Sequence, residues 1–525
     1  MNESPQCMGN ADGLTSTDIF HAFDAATGQP IEPGFAEATA AEIDAAAVRS
    51  AEAAEWLAHS PPARRAELLE RVAQGMDARQ DEIVQRCVTE TGYLPERVIG
   101  EFRRASGQLR AFAGLTRDRY WDQRQIAAAD PNRELAPGLV VPRPEMRRRL
   151  VPVGPVAVFG ACNFPLAISV VGNDFVAAIA VGCPVIVKSH PSHPGTCELL
   201  GQVVCEAVEQ LGMPAGTFSL LHGRRPETSI SLVQHPAIAA VGFTGSPVGG
   251  RALAEAVLKR DRPIPIFAEL GSTNPVFITA AALEERCEVI AKGFADSLRF
   301  GNGHMCTKPG VVVVPKDVSQ PFVDQVIGEM SKQTPLPLLS GGVAEAFDRG
   351  IANYRSAAEV QTLHQGGSGG AERDESLGPW HRGPHWFAVE ASAAMENHDV
   401  HRGSLLHSET FGPVSLLVRC CDEEEMLTIA KQFHGSLTTT LHRGSTDDGF
   451  VERWLPIAER FAGRIIYNGW PTGMEIGPAT QHGGPYPASL DGNSTSVGYE
   501  SLRRFVRPVC YQNWPAEELD AAGPW

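Results

Sequence analysis

The stretch VGPVAVFGACNFPLAISVVGNDFVAAIAVGCPVIVKSH, residues 153–190, decides the fold. VGPVAVFG (153–160) reads as a buried strand, ISVVGNDFVAAIAVG (168–182) as a helix, and PVIVKSH (184–190) as a second strand. A membrane span needs about 20 largely uninterrupted apolar residues. Between Ala157 and Val187 the run is broken by Asn163, Pro165, Asn173, Asp174 and Pro184, so it reads as protein core.

The alternation continues outward. GTCELLGQVVCEAVEQLG (195–212) is a second helix ending at Gly212. FSLLHG, IAAVGFTG and PIFAELG follow as short apolar runs between helices. Strand and helix in alternation imply a parallel sheet covered on both faces, with ligands at the carboxyl ends of its strands. A second alternating block runs from about Pro275 to Gly484 and includes VIAKGFADSLRFG, GVVVVP, VSLLVRC and GRIIYNGWP. Within it, HQGGSGGAERDES from His364 reads as a surface loop. Upstream, residues 37–91 read as two amphipathic helices parted at Ser60-Pro61-Pro62, and another helix runs through GEFRRASGQLRAFAGL from Gly100. PRPEMRRRLVPVG from Pro142 and the run around Arg503 to Gln512 are strand-like.

The chain has 525 residues, enough for more than one domain. At 43% hydrophobic and 20% charged it is ordinary globular material. A formal net charge of −17 argues against nucleic acid or an anionic membrane as the main partner. Its 11 cysteines are scattered, with no CxxC pair, which fits reduced thiols in the cytoplasm. MNESPQCMGN lacks the basic start and apolar run of a signal peptide.

Five elements carry chemistry. GNGHMCTKPG, from Gly301, puts Cys306 in a Gly-rich turn between helix and strand, where a sulfur is exposed beside free backbone N–H groups. Most cysteines are buried and inert; this context favours a nucleophile. FAELGSTNPVF, from Phe267, places Glu269 at a strand end, where a carboxylate can act as a general base or simply face solvent. GACNFPLA, from Gly160, offers the Asn163 amide to a developing oxyanion; the plain alternative is a turn asparagine. VGFTGSPVGGRAL, from Val241, is strand, Gly-rich turn and helix, a weak phosphate-binding signal through Gly245, Ser246 and Gly249, with Lys188 on the neighbouring strand. HSETFGPVSLL, from His407, offers Glu409 to a ribose and Phe411 to a nicotinamide, or a cap and a core residue. His190 and His193 have the spacing of a helical metal pair, but Pro191 and Pro194 forbid that helix, and no metal is expected.

Together, in this order, these elements resemble the aldehyde dehydrogenase superfamily, from about residue 35 to the C terminus. On KSHPSHPGT, FAELGSTNPVF, CTKPG, HGGPYPASLDGNSTSVG and RFVRPVCYQN the chain resembles most the α-ketoglutarate semialdehyde (2,5-dioxopentanoate) dehydrogenase branch. The resemblance implies an α/β architecture: a Rossmann-type NAD(P)-binding domain (1–135 and 155–275), an α/β catalytic domain (276–484), and a small β bridging and oligomerisation element (136–154 and 485–525). It implies a cytoplasmic homodimer or homotetramer acting on a small-molecule aldehyde. Cys306 would form a thioester, Asn163 and the Cys306 N–H would hold the oxyanion, and Glu269 would activate water. Lys188, Ser189, His190, Gly245, Ser246, Gly249, Glu409 and Phe411 would meet the cofactor. Phe164, Trp470 and Phe159 would line the substrate pocket.

Three departures matter. His304 stands where the superfamily usually has Gln, and packing is the favoured reading. Ser272 replaces the second Gly of Glu-Leu-Gly-Gly. Pro191 stands where NAD-preferring members often carry Glu, so NADP is favoured over NAD, with Ser189, His190 and Arg251 as possible neighbours of a 2′-phosphate. A substrate ending in a carboxylate calls for an Arg, which the sequence does not single out. The competing enzyme reading is a broad medium-chain or fatty aldehyde dehydrogenase with an apolar pocket. A non-catalytic protein keeping the fold predicts loss of Cys306, Glu269 or Asn163, and an enzyme passing its acyl group to coenzyme A predicts loss of Glu269; all three residues are present.

Overall fold

A computed structural model of the chain describes residues 18–367, 377–396 and 405–519. Most of the Gly/Ser-rich stretch after His364 lies outside these residues.

A five-stranded, wholly parallel sheet forms the first half. Its order is Ile266–Glu269, Ala240–Thr244, Val156–Phe159, Val185–Lys188, Phe218–Leu221. The strands are short and buried because helices cover both faces. Val156, Val158, Val185 and Val187 pack into one core with Phe102, Phe175 and Leu200. Ala157, Phe159 and Ile186 point the other way, into a second core with Ile43, Leu232 and Leu253. This is the period-two alternation of an extended chain. Each fully buried Val or Ile contributes roughly 1.5–3 kcal/mol.

The second half is a seven-stranded sheet, ordered Gln361–Gln365, His385–Glu390, Val414–Cys420, Val311–Pro315, Val276–Ile278, Ser436–His442, Ala462–Tyr467. All its pairings are parallel except that of the edge strand Gln361–Gln365. A third, antiparallel sheet pairs Met146–Pro152 with Val506–Gln512 on one side and Gln125–Ala127 on the other. The two strand-like segments flanking the molecule in sequence are therefore neighbours in space. Residues 482–497, by contrast, lie across the end of the strand Ile266–Glu269: Leu270 N–H donates to Ala488 O at 2.8 Å and Leu490 N–H to Ala268 O at 2.9 Å. Most of that stretch falls in the segment expected to bridge subunits, yet it packs at the site.

Two helix expectations need correction. Residues 37–91 form three helices, Ala40–His59, Pro62–Ala78 and Gln80–Thr91. Thr39 and Glu42 form a capping box at the first, and Pro62 opens the second at N1. The extra break falls at Arg79 (φ −117°, ψ 21°), where neither Gly nor Pro marks it. The helix expected from Ile168 begins only at Asn173, because residues 161–172 fold back on themselves, with Ala161 N–H donating to Ile168 O at 2.8 Å. The cysteines are free thiols apart from Cys205, which is disulfide-bonded, and Cys7, which lies outside the described residues. Among the described residues no helix is long and apolar enough to cross a membrane.

Candidate active site

The loop bearing Cys306 follows the helix Ala280–Arg299 and precedes the strand Val311–Pro315. Gly301, Asn302 and Gly303 all take left-handed backbone angles (φ 57°, 51° and 71°). At Gly303 glycine is required twice over, since a Cβ there would sit 2.3 Å from the carbonyl carbon of Gly412. Two asparagine amides tie the loop down. Asn302 donates to Leu336 O (2.8 Å) and Pro337 O (3.1 Å). Asn274 donates to Cys306 O (2.8 Å) and Lys308 O (2.9 Å). Ser272 explains its own departure from glycine: its hydroxyl donates to Asn274 Oδ1 at 3.0 Å and accepts from Leu437 N–H at 3.0 Å.

Around the thiol three reactive groups converge. Cys306 Sγ lies 3.4 Å from His482 Nε2, and the same nitrogen lies 3.1 Å from Glu269 Oε1. Ser496 Oγ donates to Glu269 Oε2. His482 Nδ1 is buried without a hydrogen-bond partner. One ring nitrogen thus serves both sulfur and carboxylate, and a proton on it can be donated to only one of them at a time. Burial pushes the Cys306 thiol well above its ordinary range, reinforced by the charges of Glu269 and Glu409 and opposed by Arg104. Burial also raises Glu269, but His482 and the hydrogen bonds of Ser496 and Cys306 outweigh it and hold this carboxyl below its ordinary range. Glu269, Cys306 and His482 are also the described grouping of three with metal-ligating donors. His190 and His193 stack on one another, ring centres 5.3 Å apart.

Asn163 follows the strand Val156–Phe159 and is buried. Its amide donates to His304 O at 2.6 Å, two residues before Cys306, leaving its second N–H uncommitted. Arg97 fixes its backbone, donating to Asn163 O at 2.8 Å. His304 lies between Tyr93 and Phe411, and its Nδ1 is 2.9 Å from Gly301 O. Burial drives its pKa down to about 3, so it is neutral packing material.

Of the expected cofactor residues, Lys188, Ser189, His190, Gly245, Ser246 and Gly249 lie at or just beyond the carboxyl ends of the strands Val185–Lys188 and Ala240–Thr244. Lys188 ends its strand buried, pushed down to about 8 by burial and partly restored by Glu37. Ser189 Oγ is 2.9 Å from His222 Nδ1. His190 is buried, and burial, His193 and Lys188 hold it well below its ordinary range, so it offers no positive charge. Gly245 leads to Ser246, which caps the helix Pro247–Leu258 by accepting from Gly249 N–H at 3.1 Å. Arg251 is exposed on that helix. Glu409 approaches from the second sheet so closely that a Cβ on Gly271 would lie 2.1 Å from its Oε2. Burial raises Glu409 to about 7, offset by Lys308. Lys308 holds the turn behind Glu409, donating to Thr410 O (2.9 Å) and Val414 O (2.6 Å). A buried ammonium at a strand end, a Ser-capped helix N terminus and a carboxylate facing them fit the ribose hydroxyls and pyrophosphate of NAD(P).

Of the three expected pocket residues, Phe164 lines a cavity of about 630 Å³ together with Tyr93, Arg97, Arg104 and Met305. Phe159 and Trp470 do not line it. Strand alternation turns Phe159 to the opposite face, against Phe243 at 6.3 Å. Trp470 packs on Phe294 (5.6 Å) and His442 (4.7 Å) under the second sheet. Sequence reasoning missed His482, Asn274, Lys308 and Arg104. Three of these stand in stretches that carried only resemblance and no chemical role: His482 in HGGPYPASLDGNSTSVG, Asn274 in FAELGSTNPVF and Lys308 in CTKPG; Arg104 stands in GEFRRASGQLRAFAGL, read only as a helix.

The aldehyde dehydrogenase family profile matches residues 14–370. The chain is similar to alpha-ketoglutaric semialdehyde dehydrogenase 2 of Azospirillum brasilense, 40% identical over 96% of this chain and 93% of that protein. It is 35% identical to alpha-ketoglutaric semialdehyde dehydrogenase of Acinetobacter baylyi, over 98% and 94% of the two chains. In fold it is similar to 1-pyrroline-5-carboxylate dehydrogenase from Thermus with bound NAD (TM-score 0.78, 20% identity, 96% and 92% covered). Betaine aldehyde dehydrogenase from Staphylococcus aureus is equally similar (TM-score 0.79, 18% identity, 96% and 94% covered).

Proposed function

This chain belongs to the aldehyde dehydrogenase family, and on that premise we propose that it oxidises 2,5-dioxopentanoate (α-ketoglutarate semialdehyde) to 2-oxoglutarate through a thioester on Cys306. The observation that carries the mechanism is the convergence of Cys306, His482 and Glu269 beside the Asn163 amide. The substrate rests on the names of the two similar relatives and on the guanidinium groups lining the cavity, which suit a carboxylate better than a fatty chain.

Cys306 Sγ gives up its proton to His482 Nε2 and attacks the aldehyde carbon. The free N–H of the Asn163 amide and the Cys306 backbone N–H receive the resulting oxyanion. Lys188, Ser189, Ser246 and Glu409, with Gly245, Gly249 and Phe411, would hold NAD(P), which supplies the hydride acceptor that turns the Cys306 adduct into a thioester. Glu269, held ionised by its neighbours, takes a proton from water as the water oxygen bonds to the acyl carbon. The carbon–sulfur bond then breaks, and the Cys306 thiolate leaves.

The absence of a carboxylate at Pro191 favours NADP over NAD. The division into a cofactor domain on the first sheet and a catalytic domain on the second follows the same reading. So does oligomerisation through the third sheet, whose strand Val506–Gln512 lies at an edge. The test is NADPH and NADH formation by the purified protein with 2,5-dioxopentanoate beside hexanal. Strong preference for the keto acid supports the substrate; preference for hexanal removes it and keeps the family's chemistry.

A further inference from the structure

The substrate proposed above carries a carboxylate opposite its aldehyde, and the assignment of a receptor for that group rests on this substrate reading. Three guanidinium groups line the cavity beside Cys306: Arg97, Arg104 and Arg299. They differ in what they are already bound to. Arg97 donates to Glu101 Oε2 (2.9 Å) and Asn163 O (2.8 Å), with its face 3.5 Å from the Tyr93 ring centre. The other Glu101 oxygen accepts from Leu166 N–H (2.8 Å) and Ala167 N–H (3.0 Å). That carboxylate is therefore committed to Arg97 and the Phe164 loop. Arg299 reaches Thr334 Oγ1 at 3.4 Å, in an exposed contact.

Arg104 is different. It lies on the helix Pro95–Arg117, seven residues after Arg97 and three after Glu101, so all three share one face. Among the described residues it forms neither an ion pair nor a hydrogen bond, and its Nε, like that of Arg97, is buried without a partner. It lines the same cavity as Met305, the residue before Cys306. Arg464 brings a second guanidinium to the cavity wall, where it holds Gly473, one of the lining residues. The Nη atoms of Arg464 are spent on Gly473 O (3.0 Å) and Pro471 O (2.7 Å), but its Nε is likewise buried and unpartnered. A half-buried guanidinium without an anion is costly, and its planar fork matches a carboxylate in two parallel hydrogen bonds.

We propose that Arg104 is the receptor for the carboxylate at the far end of the substrate, with Arg464 supplying further positive charge. Arg97, whose partners are all internal, positions Asn163 and does not bind the acid. Discrimination then works by rejection as much as by attraction: a neutral aldehyde leaves the Arg104 fork unpaired.

The test compares wild type, Arg104→Gln and Arg104→Lys in the full-length enzyme, with 2,5-dioxopentanoate and hexanal as paired substrates. The readout is the ratio of their kcat/KM values, with KM and kcat separated. In Arg104→Gln this ratio falls by about 100-fold, as two charge-assisted hydrogen bonds imply. The loss lies chiefly in the KM for the acid, and Arg104→Lys recovers part of it. An unchanged ratio in Arg104→Gln overturns the assignment, including the case where both substrates lose rate equally and Arg104 is merely structural. If wild type prefers the acid and Arg104→Gln keeps that preference, the receptor is wrong and the substrate stands. A wild type without preference refutes the substrate reading and this inference with it.

Discussion

Asn274 offers a strong test of how the nucleophile is held. Its Nδ2 donates to Cys306 O, Lys308 O and Ser272 O at 2.8, 2.9 and 3.2 Å. Its Oδ1 accepts from Ser272 Oγ, Thr438 N–H and Thr438 Oγ1 at 3.0, 3.2 and 3.1 Å. Truncation to alanine strands the Cys306 and Lys308 carbonyls and the Thr438 N–H in a buried setting. Each stranded group costs about 1–3 kcal/mol before relaxation. The left-handed backbone at φ 48° adds roughly 1 kcal/mol for alanine. We expect a net loss of about 4 kcal/mol. At about 2.1 cal/mol/K per residue of unfolding entropy, spread over the whole chain, that is a fall of roughly 4 °C in Tm. Activity should suffer more, since a displacement of about 1 Å at a reacting atom costs on the order of 100-fold. Asn274→Asp is the sharper variant: it is isosteric but sets a carboxylate oxygen against two carbonyls. Scanning fluorimetry and kcat on both variants check this. Wild-type Tm and full turnover in either one would refute the claim that this amide positions the thiol.

The oxyanion donor, the nucleophile loop and the thiol can each be probed in turn. Asn163→Ala should lower kcat by about two to three orders of magnitude, the cost of one oxyanion donor, with KM for the aldehyde little changed; a drop below tenfold removes the assigned role. Gly303→Ala drives a Cβ against the Gly412 backbone from a left-handed residue, and should cost about 3 kcal/mol, read as lower soluble yield and a lower Tm; a variant like wild type contradicts the tight loop. The Cys306 thiol lies well above its ordinary range, so iodoacetamide labelling of the cofactor-free enzyme, followed by peptide mapping, should still be rising with pH beyond 9. Glu269→Gln removes an adjacent negative charge and should move that rise to lower pH; an unmoved curve argues against the coupling.

The parallel sheet was legible because Val, Ile and Phe crowd into short runs between Gly and Pro, a pattern that fully buried strands demand. As candidates, Cys306, Glu269 and Asn163 were legible because each sits where a strand or helix gives way to a turn. His482 was not. It is 176 residues from Cys306 in sequence and reaches it only because the tail folds across the end of the Glu269 strand, as the Glu269–Ser489 bridge shows. No local pattern encodes that return. Phe159 and Trp470 were misread for a related reason: an aromatic near a reactive residue in sequence does not reveal which face it takes, and packing sent both into cores. Arg104 was hidden among many arginines. Its distinction is a missing partner, which only the folded chain displays.

On the proposed mechanism the aldehyde carbon is carried as a thioester on Cys306 and released by water that Glu269 activates. Its most direct test is a single mixing of the Glu269→Gln enzyme with NADP and 2,5-dioxopentanoate, followed by reduced-nicotinamide absorbance and peptide mass mapping. The account predicts a burst of NADPH near one equivalent per subunit, then slow turnover, with the acyl group on the peptide containing Cys306. Steady turnover without a burst, or an adduct on any other residue, would contradict it.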